Sequence, residues 1–303
     1  MLSEDLDRHV GLHRALGFKF RTQSSLLRNF VAYAEGRGDQ VISKERVLAW
    51  AVEAPSLEQR RNRLLQARRF AVAMHAEDQR HEIPDAEALG RGSFTCRIPY
   101  IYSPEDIDRL MAAAGLLAPI GTIRPLTYAT LFGLLAATGM RISEALALRL
   151  PDITDDGLII DKTKFKKSRL LPLHPSTRRA LDAYLAVRLG LATQSDTLLI
   201  GNNGEAVAYS SASAVFLELT RSIGLRGPSG GGPRIHDLRH TFAVRSLERC
   251  PQNAAAVLRH IVGLSTYLGH AHVTDTYWYL QASLALMTHI ADAGEALQRG
   301  EAQ

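Results

Sequence analysis

The chain has 303 residues, 46% of them hydrophobic, which is enough to bury the cores of two ordinary domains and excludes wholesale disorder. Its formal net charge of +5 and isoelectric point of about 9.3 suit a polyanionic partner. Two cysteines, Cys96 and Cys250, exclude a disulfide framework and a cysteine-rich metal site, and their scarcity is typical of a reducing cytosol. The first residues, MLSEDLDRHVG, lack the apolar run of a secretory signal, so we expect a cytoplasmic protein.

Residues 1–88 are predicted to form a helical amino-terminal domain. Apolar residues recur at helical spacing between Leu12 and Tyr33, and further helices are predicted over residues 43–52 and 57–75. The last of these helices carries a row of arginines with two interpretations, a solvated helix face or a surface that follows DNA phosphates. The arginines in this row are Arg60, Arg61, Arg63, Arg68 and Arg69.

A second domain is predicted over residues 104–303, after a linker at 89–103 that is rich in glycine, serine and proline. The tetrapeptide from Ser103 to Asp106 places a capping serine before a proline and two acids. Proline suits the first helical position and acids complement the positive end of a helix, so this order predicts a helix start.

Within the second domain the pattern predicts helices and one small antiparallel sheet. Residues 124–138 predict an apolar helix that Gly139 ends, and another helix is expected over residues 142–148. Two short β-like runs, 158–161 and 170–173, flank a lysine-rich segment and predict a hairpin. The rest predicts a helix at 177–189, a turn at 202–204 and a flexible connector at 228–233, with helices after it.

Two segments carry basic groups suited to phosphate chemistry. Arg141 stands at a helix entrance in TGMRISEALAL, where it could aim its planar fork at a phosphate or form a surface ion pair with Glu144. His236 and Arg239 are three positions apart in HDLRH and would share a helix face. There arginine could neutralise phosphate oxygens while histidine moves a proton. His240 is expected to pack or to support these groups.

A third segment, YLGHAHVTDTYWYL, contains His270, Tyr277 and Tyr279. Taken alone, YLGH is also the sequence of a helix end with a capping glycine, and TYWYL could be an aromatic core stripe. The lysines between the two β-like runs are also typical of a solvated turn. The chain has no HExxH motif, no two-metal carboxylate cluster and no P-loop, so we expect neither a metal nor a cofactor.

Together these segments resemble, in order and spacing, the active-site boxes of the tyrosine recombinases, the phage-integrase family. The resemblance implies a mainly α-helical fold, with a helical core-binding domain and a mostly helical catalytic domain that contains a small antiparallel sheet. It implies that Tyr279, nine positions after His270, is the nucleophile and that Tyr277 packs. The family's lysine lies five positions before an arginine that precedes an LxPL-like strand, which implies Lys164, with Lys162 and Lys166 as alternatives. The implied catalytic set is Arg141, Lys164, His236, Arg239, His270 and Tyr279, and the implied DNA contacts are the arginine row with Lys162, Lys166 and Lys167.

The activity that the resemblance implies is site-specific DNA recombination through a 3′-phosphotyrosyl intermediate. The expected partners are double-stranded DNA with paired recombination sites and a homotetramer in the synaptic complex, alone or with other recombinases. An apolar stripe over residues 280–297 is expected to dock on a neighbouring protomer or to pack on its own domain.

The segment LGHAHVTDTYWYL favours an enzyme that integrates, excises or transposes a mobile element. The alternatives are a chromosome-dimer-resolution recombinase, a type IB topoisomerase-like enzyme and a DNA-binding accessory protein that does not cleave.

Overall fold

The computed structural model describes residues 1–91, 97–161, 168–227, 231–250 and 254–270, together with His272 and Thr276. The chain divides into two compact units, Met1–Cys96 and Arg97–Gln303. No helix in the described ranges is long and apolar enough to cross a membrane.

The described part of the first unit contains four helices, in agreement with the predicted helical domain, but the stretch predicted between Leu12 and Tyr33 is divided between the first two of them. They are α1 (Leu2–Ala15), α2 (Arg21–Glu35), α3 (Lys44–Val52) and α4 (Leu57–Glu77). The side chains of Ser43 and Ser56 cap α3 and α4 by accepting hydrogen bonds from backbone N–H groups of the first turn. Phe30, Trp50 and Phe70 are buried at the centre of the core.

The arginine row on α4 is not a freely solvated face. Arg63 donates a hydrogen bond to the carbonyl of Trp50 at 2.9 Å and lies over the Trp50 ring, 4.9 Å from its centroid. Arg60 donates to the carbonyl of Ala54 at 2.7 Å. Only Arg69 in the row is exposed, and the other four arginines are half-buried on a helix that packs against α1, α2 and α3. The solvated-face interpretation is therefore wrong for Arg60 and Arg63, while DNA contact by the row stays a prediction.

The second unit is mostly helical with one small sheet, which confirms the predicted fold class. Its helices are α5 (Pro104–Gly115), α6 (Ile123–Thr138), α7 (Ile142–Ala145), α8 (Pro175–Leu189), α9 (Tyr209–Ser222), α10 (Ile235–Glu248) and α11 (Ala254–Leu268). The apolar α6 packs against α5, α8 and α10, and Leu131 and Phe132 on α6 are fully buried. The helix start at Ser103 is confirmed by reciprocal bonds between Ser103 and Asp106 at 3.1 Å.

The residues just before α5 are part of the second unit. Tyr102 is fully buried, and its backbone N–H donates to the hydroxyl of Thr241 on α10 at 3.0 Å. Arg245, also on α10, donates to the carbonyl of Tyr102 at 2.5 Å. The predicted linker at 89–103 thus includes a tyrosine that packs on α10.

The sheet has three antiparallel strands in the order β1 (Ile153–Thr154), β2 (Gly157–Ile160) and β3 (Arg169–Leu171). Leu158 pairs with Leu171 and Ile160 with Arg169, so the predicted hairpin is confirmed, while β1 is an addition. Helix α7 ends earlier than expected because the chain turns there to pair with the segment before residue 200. The carbonyl of Leu148 accepts from Leu198 N at 2.8 Å.

Candidate active site

The end of α6 lies close to α10. Gly139 ends the helix in the left-handed conformation, with φ of 62°. A Cβ atom added to Gly139 would lie 2.5 Å from Cδ1 of Phe242, so only glycine fits both the conformation and the space. The carbonyl oxygen of Gly139 accepts a hydrogen bond from Nη1 of Arg239 at 2.8 Å. This approach places the start of the TGMR segment against the HDLRH helix.

The end of α11 lies in the same place and closes with a glycine turn. Gly269 has φ of 67°, and its N–H donates to the carbonyl of Thr266 at 3.0 Å. The N–H of His270 reaches back to the carbonyl of Ser265 at 3.0 Å. These two bonds form a Schellman motif and confirm the helix-end interpretation of YLGH. The next carbonyls, of Tyr267, Leu268 and Gly269, accept from arginine side chains instead.

Arg141 and Arg239 converge on the carbonyl oxygen of Leu268. Arg239 Nη2 donates to it at 2.8 Å, and Arg141 Nη1 lies at a longer 3.5 Å. Arg141 Nη2 also donates to the carbonyl of Gly269 at 3.1 Å. Arg239 is 2% exposed and the Arg141 side chain 27% exposed. The negative end of the α11 dipole therefore holds two guanidinium groups side by side.

Glu144 anchors Arg141 from the other side. Its carboxylate accepts from the backbone N–H of Arg141 and from Arg141 Nη1, each at 3.0 Å. The ion pair that was the alternative explanation of Arg141 is thus present, but the Glu144 side chain is only 7% exposed. The pair is part of the buried frame of the site and not a surface feature.

His236 lies in the first turn of α10, one turn before Arg239, and is an exposed residue that neighbouring protein groups partly desolvate. Desolvation by the surrounding protein lowers its pKa, and the positive charge of Arg239 lowers it further. A neutral His236 near pH 7 can accept a proton. The His240 ring stands perpendicular to the His236 ring, with centroids 4.8 Å apart. Burial lowers the pKa of His240 to about 4, which suits a packing role.

His270 is half-buried and directly follows Leu268 and Gly269, whose carbonyls accept hydrogen bonds from the two arginines. Its Nδ1 is 2.8 Å from the hydroxyl of Thr276, a fully buried residue, and this hydrogen bond orients the ring. Thr276 lies between His270 and Tyr279 in the third segment, but the sequence did not indicate it as a site residue. A single threonine forms no sequence motif, so its contact with His270 could not be predicted from the sequence.

The structure brings together Arg141, His236, Arg239 and His270, four of the six predicted catalytic residues. The other two, Lys164 and Tyr279, lie outside the described residues, as do Lys162, Lys166, Lys167 and Tyr277. Their assigned roles stay predictions. Among the residues that can be placed, no group of three or more histidine, cysteine or acidic side chains could hold a metal ion.

Arg169 also belongs to the site, although the sequence indicated it only as the arginine five positions after Lys164. Its guanidinium donates to both oxygens of Glu144, at 3.2 and 2.8 Å, and to the carbonyl of Tyr267 at 2.9 Å. These partners are 25 and 98 residues away in the chain. No local pattern could have revealed contacts over such separations.

A family model and two known proteins that resemble this chain all carry the name integrase or recombinase. The model of the phage integrase family matches residues 102–285, more than half of the chain. The protein y4rB of Sinorhizobium fredii, which carries a provisional integrase/recombinase name, is 40% identical over 294 residues and 93% of each chain. Tyrosine recombinase XerD of Caulobacter vibrioides is 31% identical over 205 residues, 67% of this chain and 64% of its own.

Solved structures share the fold. The crystal structure of a lambda integrase tetramer bound to a Holliday junction has a TM-score of 0.62 at 19% identity, covering 90% of this chain and 78% of that one. The matched residues 102–285 contain the four clustered side chains and extend past Tyr279. The chain belongs to the phage integrase family.

Proposed function

We propose that this chain is a site-specific DNA recombinase that cuts and rejoins strands through a covalent link to Tyr279. The observation that carries the proposal is the convergence of Arg141 and Arg239 on the carbonyl of Leu268, two residues before His270. Paired guanidinium groups suit a phosphodiester, because charge in its transition state spreads over the non-bridging oxygens.

In the proposed reaction the phenolic oxygen of Tyr279 attacks the scissile phosphorus in line, and the bond from phosphorus to the 5′-oxygen breaks. The proton of the phenol passes to His236, whose lowered pKa leaves it able to accept near pH 7. Lys164 supplies a proton to the departing 5′-oxygen. The strand remains joined to Tyr279 as a 3′-phosphotyrosyl ester, and a 5′-hydroxyl of a partner strand then reverses these steps.

The arginines supply most of the electrostatic stabilisation in this scheme. Arg239 is almost fully buried, so its charge acts through a medium of low dielectric and is felt strongly at the site. Backbone carbonyls hold both guanidinium groups in place before DNA arrives, so no reorganisation is needed during reaction. We assign His270 a hydrogen bond to the phosphate. Loss of one such contact typically costs about 100- to 1000-fold in rate.

The biological setting is a further part of the proposal. The integrase/recombinase name of y4rB supports a role in moving a genetic element, and the name of XerD supports strand exchange over simple relaxation or binding without cleavage. The lambda integrase tetramer on a Holliday junction supports a homotetramer on paired double-stranded DNA sites. We propose a cytoplasmic location and phosphate contacts from the arginine row on α4 and from Lys162, Lys166 and Lys167.

The test is covalent capture on nicked duplexes made from inverted repeats that flank the coding sequence. Wild type and Tyr277→Phe are expected to become joined to the DNA, whereas Tyr279→Phe is not, because only Tyr279 supplies the attacking oxygen. Capture by Tyr279→Phe would refute the nucleophile. Absence of capture by wild type on every repeat would favour a binding protein. Capture with DNA relaxation but no recombinant product between paired sites would favour a topoisomerase.

A further inference from the structure

Arg169 joins three segments of the second unit. It is the first residue of β3, and its side chain is 11% exposed. Its two terminal nitrogens bond both oxygens of Glu144, and its Nε bonds the carbonyl of Tyr267. One guanidinium therefore ties the strand that follows the lysine segment to the turn of Arg141 and to the end of α11. A planar fork is the side chain suited to such a set of acceptors.

Glu144 transmits the position of Arg169 to Arg141. Oε1 of Glu144 accepts from Nη1 of both arginines, at 3.2 Å from Arg169 and 3.0 Å from Arg141. Burial acts to raise the pKa of Glu144, but the bonds and charges of Arg169 and Arg141 outweigh it and lower the pKa, so the carboxylate stays ionised. Without Arg169 this carboxylate would draw the guanidinium of Arg141 away from the carbonyls of Leu268 and Gly269.

The turn before His270 rests on the same guanidinium. A Cβ atom at Gly269 would lie 2.6 Å from Nη1 of Arg169, so the backbone of the turn is in close contact with it. His270 is the next residue, and its N–H is part of the same turn. The positions of Arg141 and His270 therefore both depend on where Arg169 lies.

We propose that Arg169 is a positioning residue for DNA cleavage, which acts by holding Arg141 and His270 in their relative arrangement. The inference rests on the proposed function. It requires no contact between Arg169 and DNA, so its loss should slow the reaction of bound DNA without weakening binding. A displacement of about 1 Å in a reacting group can cost about 100-fold in rate.

The test compares Arg169→Lys with Arg178→Lys. Lysine keeps the positive charge of Arg169. Its ammonium group lacks the planar fork that lets the guanidinium bond two carboxylate oxygens and a carbonyl at once. Arg178 is a matched control because it also bonds a carboxylate, that of Asp182 at 2.8 Å, and a carbonyl, that of Thr154 at 2.6 Å, but none of the clustered site residues. Single-turnover capture of the nicked duplex at saturating protein gives the rate, gel shift gives Kd, and circular dichroism gives the folded fraction.

We expect Arg169→Lys to be captured roughly 10- to 100-fold more slowly than wild type, per folded molecule and with unchanged Kd. Arg178→Lys should react at the wild-type rate. As a second measurement, methylguanidinium should accelerate Arg169→Ala but not Arg178→Ala, because the ion can restore the second partner of Glu144. A wild-type capture rate for Arg169→Lys would overturn this inference and leave the proposed function standing. So would a variant that only binds DNA more weakly or folds less well, and whose rate methylguanidinium does not restore. A wild-type protein that is never captured would refute the proposed function and this inference with it.

Discussion

Replacing Gly139 with alanine should reduce stability and disturb the arginine pair. Gly139 ends α6 with φ of 62°, and its carbonyl bonds Arg239 at 2.8 Å. An added Cβ would lie 2.5 Å from Cδ1 of Phe242 and 3.1 Å from Cδ2 of Leu268. Leu268 also carries the carbonyl that Arg141 and Arg239 share, so the clash bears directly on the frame of the site.

The expected loss has two parts. The left-handed backbone conformation costs a residue with a Cβ about 1–2 kcal/mol, and an extra methyl group in a packed core costs about 1–3 kcal/mol. The free energy of unfolding of Gly139→Ala should therefore fall by about 2–5 kcal/mol. For a domain of this size each kcal/mol corresponds to a decrease of about 2–4 °C in Tm.

Gly224→Ala is the matched control. Gly224 follows the end of α9 with φ of 73°, and no atom lies within 4 Å of the Cβ it would gain. Gly224→Ala has the same cost of the left-handed conformation but no clash. The difference between the two variants in the free energy of unfolding, measured with urea, therefore gives the packing contribution, which we expect to be about 1–3 kcal/mol. If Gly139→Ala loses no more stability than Gly224→Ala, the close approach of the α6 end to α10 is refuted.

Three further substitutions test the site and the first unit. Burial holds the pKa of His240 at about 4 in the folded protein, against about 6.5 when unfolded, so the folded state resists protonation. The free energy of unfolding should be highest above about pH 7 and should fall as the pH drops through 6.5 toward 4, by about 2 kcal/mol at pH 5. His240→Gln should lack this decrease, and the same pH dependence in both proteins would contradict the prediction. Arg63→Ala should lower the free energy of unfolding by about 1–2 kcal/mol, because it removes the bond to the Trp50 carbonyl and the contact with the Trp50 ring; denaturant unfolding measures the loss, and wild-type stability would count against the packing role. Arg69→Ala should leave stability unchanged and reduce the salt dependence of DNA binding by about one phosphate contact; an unchanged slope in gel shifts over a salt series would remove Arg69 from the DNA surface.

Local patterns were sufficient for much of the fold. The capping serine and acids at Ser103 to Asp106 act within one turn, and the glycines at 139 and 269 end their helices by adopting the left-handed conformation. Such signals involve residues a few positions apart, so they can be interpreted without a partner segment. The assignments of Lys164 and Tyr279 are of another kind, because they follow from resemblance to the family and lie outside the described residues.

By itself, then, the sequence predicted most of the helices, although not where α7 ends, and it indicated the segments whose basic groups suit phosphate chemistry. Only the tertiary structure decided that Arg239 and Arg141 share the carbonyl of Leu268, and that Arg169 holds Glu144 from 25 residues away. It also decided that Arg63 packs on Trp50 instead of facing solvent. The physical reason is that capping and periodicity are properties of adjacent residues, whereas the partner of a charged side chain depends on which backbone carbonyls and carboxylates the packed helices bring within reach.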